Sequence, residues 1–325
     1  VLLVLSALAI AGTAAEFAVR RLLPQFDPSG SLAFTHDPGY GVALGPPGAA
    51  RRLYKNSGDY DVPVIFNRHG LRDPLDIAEA RPDDVVFVGD SFTLGWGVRE
   101  DARFSAVFGA ETGLRTFNLA VPTGLTGYQA LLAMARDRGA EVGRLVVGVC
   151  MENDLRPDGD GGPEGTAPGA PVRETVKAWL TAESSLYVAA SAAVHRIPAL
   201  RGLAARAGLL AGPLGDNVPP TPAEVEAAAV LTANLVEPYA ATALIIPSRG
   251  LWLGPDAGAW DDAHGRFVAA LRARHVDVLD LRPAMEAGGN PLQYYFLHDG
   301  HWNTAGHRLA ADALAARLVP RHAAL

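Results

Sequence analysis

The sequence predicts an α/β domain: a five-stranded parallel sheet with helices on both faces. Three observations predict it. Short β-branched runs recur along the chain and end in glycine, proline or a polar turn. Longer stretches with helical periodicity separate them. The chain has 325 residues of which 49% are hydrophobic, ample for one core of that size.

Taken in order, the first element is apolar. Val1 to Ala15 carries no charge. Glu16 interrupts the run, and Phe17-Ala18-Val19 continues it to Arg20-Arg21. That is roughly 15–19 residues, at the short edge of a bilayer span. Residues 1–23 are therefore expected to form a transmembrane anchor or a signal segment. Gly12-Thr13-Ala14-Ala15 offers a weak cleavage site for the second reading, and a soluble helix is the third. Arg20-Arg21 would by charge favour a cytoplasmic position after the span. The expected placement is nonetheless a catalytic domain outside the membrane on a single-pass tether.

Residues 24–82 are rich in Pro, Gly and aromatics and suggest a linker with a small β-rich preface. Within it, Asp61 to Phe66 is a candidate strand and Asn67-Arg68-His69-Gly70 a turn. The main domain is expected over 83–325. Its strands are Asp84–Val88, Arg115–Leu119, Arg144–Cys150, Ala241–Ile246 and His275–Leu279. Helices are expected at about 101–112, 127–139, 222–238, 257–273 and 303–318. Five such strands suit the flavodoxin-like order 2-1-3-4-5, a three-layer sandwich. About 90 residues separate the third and fourth strands, far more than one crossover helix needs. Pro157 to Pro171 reads as a Gly/Pro/Asp loop and 172–211 as helical, so an insertion is expected at about 155–240, packed over or beside the active face.

Composition excludes several functions. The net charge is −7 with no Lys/Arg-rich block, which argues against a nucleic-acid partner. One cysteine, Cys150, permits no internal disulfide, and its place on a strand suggests core. No metal-ligand spacing, phosphate loop or dinucleotide fingerprint is present, so no cofactor is expected.

Four segments carry candidate chemistry. Gly89-Asp90-Ser91-Phe92-Thr93-Leu94-Gly95 follows the first strand. A serine there stands at the carboxyl edge of the sheet, where ligands of open α/β folds bind. A following helix would favour negative charge beside it. Asp90 is expected to cap or brace the turn. Leu297-His298-Asp299-Gly300-His301-Trp302-Asn303 follows the last strand. A serine nucleophile needs a base and that base an orienting acceptor, which His301 and Asp299 can supply from one loop. Glu152-Asn153-Asp154 follows the third strand, where the Asn153 amide could donate to an oxyanion. The loop Asn118 to Thr126 follows the second strand and could give a backbone N–H. Each segment alone has a bland reading as a cap, turn or surface loop.

Taken in chain order, the four blocks resemble the SGNH (GDSL-type) hydrolases, over about residues 60–318. The first block matches closely through Gly89 to Val98. The resemblance implies a Ser91 nucleophile, a His301 base and Asp299 as its orienter. It also implies oxyanion donors from the Ser91 N–H, an N–H at Thr123 or Gly124, and the Asn153 side chain. Three positions depart from the pattern. Thr123 stands where the second-block glycine aligns most simply, and Met151-Glu152 stands where a glycine usually precedes Asn-Asp. The acid is two residues before the histidine rather than three, that place being His298. The resulting Asp-x-His-Trp resembles the alginate-type polysaccharide O-acetyltransferases of the same superfamily. The expected function is an esterase or deacylase for an acylated glycan or lipid. An O-acyltransferase to a polysaccharide is the first alternative, and a non-catalytic glycan-binding module the second.

Overall fold

The computed structural model describes residues 2–156, 172–207 and 217–319. The expected loop 157–171 and the end of the 172–211 stretch lie outside them. Strands in chain order are β1 (Thr35–Asp37), β2 (Val42–Leu44), β3 (Ala50–Tyr54), β4 (Asp61–Ile65), β5 (Val85–Val88), β6 (Thr116–Asn118), β7 (Arg144–Cys150), β8 (Ala240–Ile246) and β9 (Asp277–Asp280). The α-helices are α1 (Leu2–Leu22), α2 (Ser91–Leu94), α3 (Phe104–Thr112), α4 (Leu125–Asp137), α5 (Val172–Glu183), α6 (Ser185–Arg196), α7 (Pro198–Arg206), α8 (Pro222–Val236), α9 (Ala257–Ala273), α10 (Arg282–Ala287) and α11 (Thr304–Leu318). The chain divides into two compact units. One comprises residues 1–32, 51–61 and 164–211, the other 33–50, 62–163 and 212–325.

The larger unit holds the sheet. Its order is β6-β5-β7-β8-β9, which is 2-1-3-4-5 in sequence terms, and every pairing is parallel. The fold class is the expected one. All four residues of β5 are buried, as a strand covered on both faces must be. Its side chains alternate between two cores. Val86 and Val88 join Leu145, Val147 and Ile245 beneath α4, α8 and α9. Val85 and Phe87 join Val146, Leu244 and Ile246 beneath α3 and α11. Local sequence sets the helix starts. Thr221 and Glu224 form a reciprocal capping box on α8 with Pro222 in its first turn. Asn303 caps α11 through the N–H groups of Ala305 and Gly306.

The smaller unit holds the apolar helix. In α1 the mean hydropathy reaches 2.0 over an 18-residue window, and none of that window is buried. The one acid in that helix, Glu16, accepts hydrogen bonds from the start of α6: Ser184 Oγ at 2.8 Å, Ser185 N at 2.8 Å and Leu186 N at 2.9 Å. Helical residues follow at 172–207, split into α5, α6 and α7 by Ser184 and by Ile197 before Pro198.

Candidate active site

Ser91 is the first residue of the one-turn helix α2, directly after β5. Asp90 caps that turn, accepting the Phe92 N–H at 2.9 Å. Gly95 closes it at φ 83°, a left-handed conformation that suits glycine. Gly89 is needed for another reason. A Cβ there would lie 2.1 Å from Thr93 Oγ1, so the strand could not turn so tightly with any larger residue.

The last block arrives at the same point. A bridge between Tyr295 and Trp302 pinches the loop, and buried Trp302 anchors it. His301 Nε2 then lies 2.8 Å from Ser91 Oγ, although 210 residues separate them. His301 Nδ1 lies 2.5 Å from Asp299 Oδ1, which also accepts the His301 N–H at 3.0 Å. The imidazole stacks on Trp96, centroid to centroid 5.4 Å at 23°, and packs against Phe92 at 5.1 Å. Asp299, two residues before the histidine, is the carboxylate on this ring. Such a chain can take a proton from Ser91 and hold the imidazole in the tautomer that accepts it.

Asn153 lies beside the nucleophile turn. Its Nδ2 donates to Asp90 Oδ2 at 3.0 Å. An amide has two N–H groups, and Asp90 orients one of them. Asp90 thus braces two elements at once, the α2 turn and the third block. Behind it Asp154 is fully enclosed, accepting from Tyr128 Oη at 2.8 Å and Cys150 N at 2.7 Å. Burial and the neighbouring Asp90 charge push the Asp154 carboxyl well up. Burial likewise pushes the Cys150 thiol up, which makes it an inert core residue. Gly124 occupies the N-cap of α4 and Thr123 is buried just before it.

Several supporting residues carry no signal that sequence reasoning used. Arg72 is 1% exposed and donates to three carbonyls of the turn after Ser91: Leu94 at 3.2 Å, Gly95 at 2.6 Å and Val98 at 2.7 Å. Burial and Arg103 bring its pKa down to about 9. Asp73 pairs with buried Arg103 at 3.4 Å and accepts the Asn118 N–H at 2.7 Å. Asn118 in turn donates to Thr93 O at 2.8 Å and Ser105 Oγ at 3.0 Å. Glu152, in the place where a glycine was expected, holds Arg249 through its backbone N–H at 2.7 Å and its guanidinium at 2.9 and 3.1 Å. The guanidinium lies so close to Gly300 that a Cβ there would meet Nη2 at 2.7 Å. Glu152 and Arg249 therefore brace the loop that carries Asp299 and His301. Among the described residues, no group of three His, Cys, Asp or Glu side chains could hold a metal.

His307 gives a stability test. It is 1% exposed, stacks on Phe104, and its Nδ1 accepts the Phe104 N–H at 3.4 Å. Burial first, then Arg72, Arg103 and His301, lower its pKa from 6.5 to about 3. A histidine depressed in the fold stabilises it above the unfolded pKa and loses that contribution as pH falls from 6.5 towards 3. The loss at pH 5 is expected to be about 2 kcal/mol. Unfolding free energies from urea titrations at pH 7 and pH 5 should converge in His307→Gln by that amount relative to wild type. An unchanged difference would refute the assignment.

The five-stranded α/β domain carries four blocks that resemble those of the SGNH hydrolases. Within it, residues 252–325 match the family described as SGNH hydrolase-like domain, acetyltransferase AlgX. No curated protein matches the chain. Among solved structures, a member of the lipolytic G-D-S-L family from Veillonella parvula is similar, with 13% identity and a TM-score of 0.42. The match covers 73% of this chain and 98% of that one. An acetyl xylan esterase is similar at 14% identity and TM-score 0.41, over 73% and 100% of the two chains. A carbohydrate esterase whose active site is described as having divergent catalytic and non-catalytic binding functions is similar at 13% identity and TM-score 0.40, over 90% and 87%.

Proposed function

We propose that the chain is a serine enzyme for acyl esters, acting on an acylated glycan or lipid. The observation that carries this reading is the continuous relay from Ser91 Oγ through His301 to Asp299. In the proposed first half-reaction Ser91 Oγ attacks the ester carbonyl and its proton passes to His301 Nε2. The tetrahedral oxyanion is met by the Ser91 N–H, an N–H at Thr123 or Gly124, and the other N–H of Asn153. The C–O bond breaks, the leaving alkoxide takes the proton from His301, and the acyl group stays on Ser91. Water then repeats the sequence and releases the acid.

A second reading has its own support. The family match over 252–325 and the Asp-x-His-Trp sequence favour a sugar hydroxyl, rather than water, as the second nucleophile. The two readings share the acyl-Ser91 stage. An acyl-donor screen with and without an oligosaccharide acceptor separates them: free acid alone indicates hydrolysis, and an acylated acceptor indicates transfer. Neither product with any donor, together with retained glycan binding, would leave a binding module instead.

The proposed placement is outside the cytoplasmic membrane, tethered by α1. Digestion of the domain by protease on intact spheroplasts is the expected result, and digestion only after lysis would reverse the orientation.

Asn153→Ala is expected to lower the turnover number by about 10²–10³ with little change in KM. A rise in KM alone would make Asn153 a substrate-binding residue and remove it from the oxyanion site.

A further inference from the structure

We infer that α5 lies on the membrane surface beside α1, with its apolar stripe in the boundary between lipid headgroups and acyl chains. The inference rests on the reading of α1 as a bilayer helix and goes beyond it, adding a second attachment that the sequence pattern did not suggest.

The starting point is Glu16. A carboxylate in an apolar helix facing lipid is costly unless it is partnered. Here it is fully engaged by the Ser184 hydroxyl and by the first N–H groups of α6. One turn later, Arg20 Nη2 donates to the last carbonyl of α5, Glu183 O, at 2.8 Å. The junction between α5 and α6 is thus pinned to the final two turns of α1. From Glu16 to the end of that helix at Leu22 is about 9 Å along its axis. If α1 spans, this junction sits at the level where hydrocarbon gives way to headgroups.

The second observation is the surface of α5. Val172, Val176 and Trp179 are spaced by four and three residues and share one face. They are 80%, 48% and 61% exposed. Lys177 and Thr181 lie on the opposite side and are also exposed. Leu186, at the first turn of α6 beside the pinned junction, is 37% exposed. An apolar stripe of this kind, on a helix held at the end of a lipid-facing helix, has the bilayer as its nearest apolar phase. Tryptophan suits that depth because its ring is apolar while its N–H can reach water. The arrangement is that of an interfacial amphipathic helix, held to the span by hydrogen bonds rather than by sequence adjacency.

The test places single nitroxide labels on the full chain reconstituted in phosphatidylethanolamine/phosphatidylglycerol liposomes. Native Cys150 is 1% exposed within β7 and stays unlabelled. Labels go on Trp179→Cys in the stripe, Thr181→Cys on the opposite side and Leu8→Cys in α1. Collisions with oxygen report lipid, and collisions with a water-soluble nickel chelate report water. The expected result is an oxygen-to-nickel ratio several-fold higher at Trp179→Cys than at Thr181→Cys, with Leu8→Cys deeper still. A water-like label at Trp179→Cys with a lipid-like one at Leu8→Cys would overturn the inference and leave the anchor standing. A Trp179→Cys label shielded from both reagents would mean that protein covers the stripe, which also overturns it. A water-like label at Leu8→Cys would remove the anchor reading and the inference with it. All three positions are exposed, so the labels should leave the fold unchanged, which circular dichroism checks.

Discussion

Ser91→Ala is expected to abolish labelling by a fluorophosphonate and to lower ester turnover by about 10⁶, the cost of removing a catalytic serine. The argument is geometric. The residue opens a helix turn whose shape is set by Asp90, Gly89 and Gly95, none of which depends on the hydroxyl. Its Oγ meets His301 Nε2 at 2.8 Å. Deleting it should leave the melting curve nearly unchanged, because the side chain is half-buried and contributes nothing to either core. Labelling and turnover that both survived the substitution would sink the nucleophile assignment, and with it the acyl-enzyme route.

Asp299→Asn should cost on the order of 10⁴ in turnover by the precedent of the serine proteases. The carboxylate accepts from the ring Nδ1 and from the His301 backbone. An amide could still accept the backbone N–H. It could also turn its own N–H towards Nδ1 and so favour the tautomer that carries its proton on Nε2. That tautomer cannot take a proton from Ser91. The parallel substitution Asp90→Asn tests a different role, since Asp90 caps α2 and orients Asn153 but makes no hydrogen bond to the imidazole among those described. Near wild-type turnover in Asp299→Asn would move the orienter elsewhere or leave Ser91 and His301 as a dyad.

The sheet was legible because its strands are local events. A β-branched run such as Val85–Val88, bounded by Gly89, needs no distant information to be recognised. The helix starts were equally local, as Thr221-Pro222-Ala223-Glu224 and Asn303 show. The candidate site residues Ser91, Asn153, Asp299 and His301 stood out in another way, as an order of short blocks along the chain. What stayed hidden were charges whose meaning is tertiary. Arg72 lies in a stretch read as a linker, and nothing near it in sequence says that it will be buried against carbonyls 22 to 26 residues on. Glu152 looked like a departure from a motif, because its partner Arg249 is 97 residues away. Glu16 looked like a defect in an apolar run for the same reason, its partners being 168 to 170 residues distant.

The position of Arg72 has a practical consequence for anyone cutting this gene. A fragment begun at residue 83, just ahead of β5, would encode Ser91, Asn153, Asp299 and His301. It would lack the cation that ties down the Leu94, Gly95 and Val98 carbonyls, and it would leave Arg103 without its acid, Asp73. Three acceptors and one guanidinium would then lose their buried partners. A soluble version should therefore keep the residues from 62 onward, at the least, as an integral part of the domain.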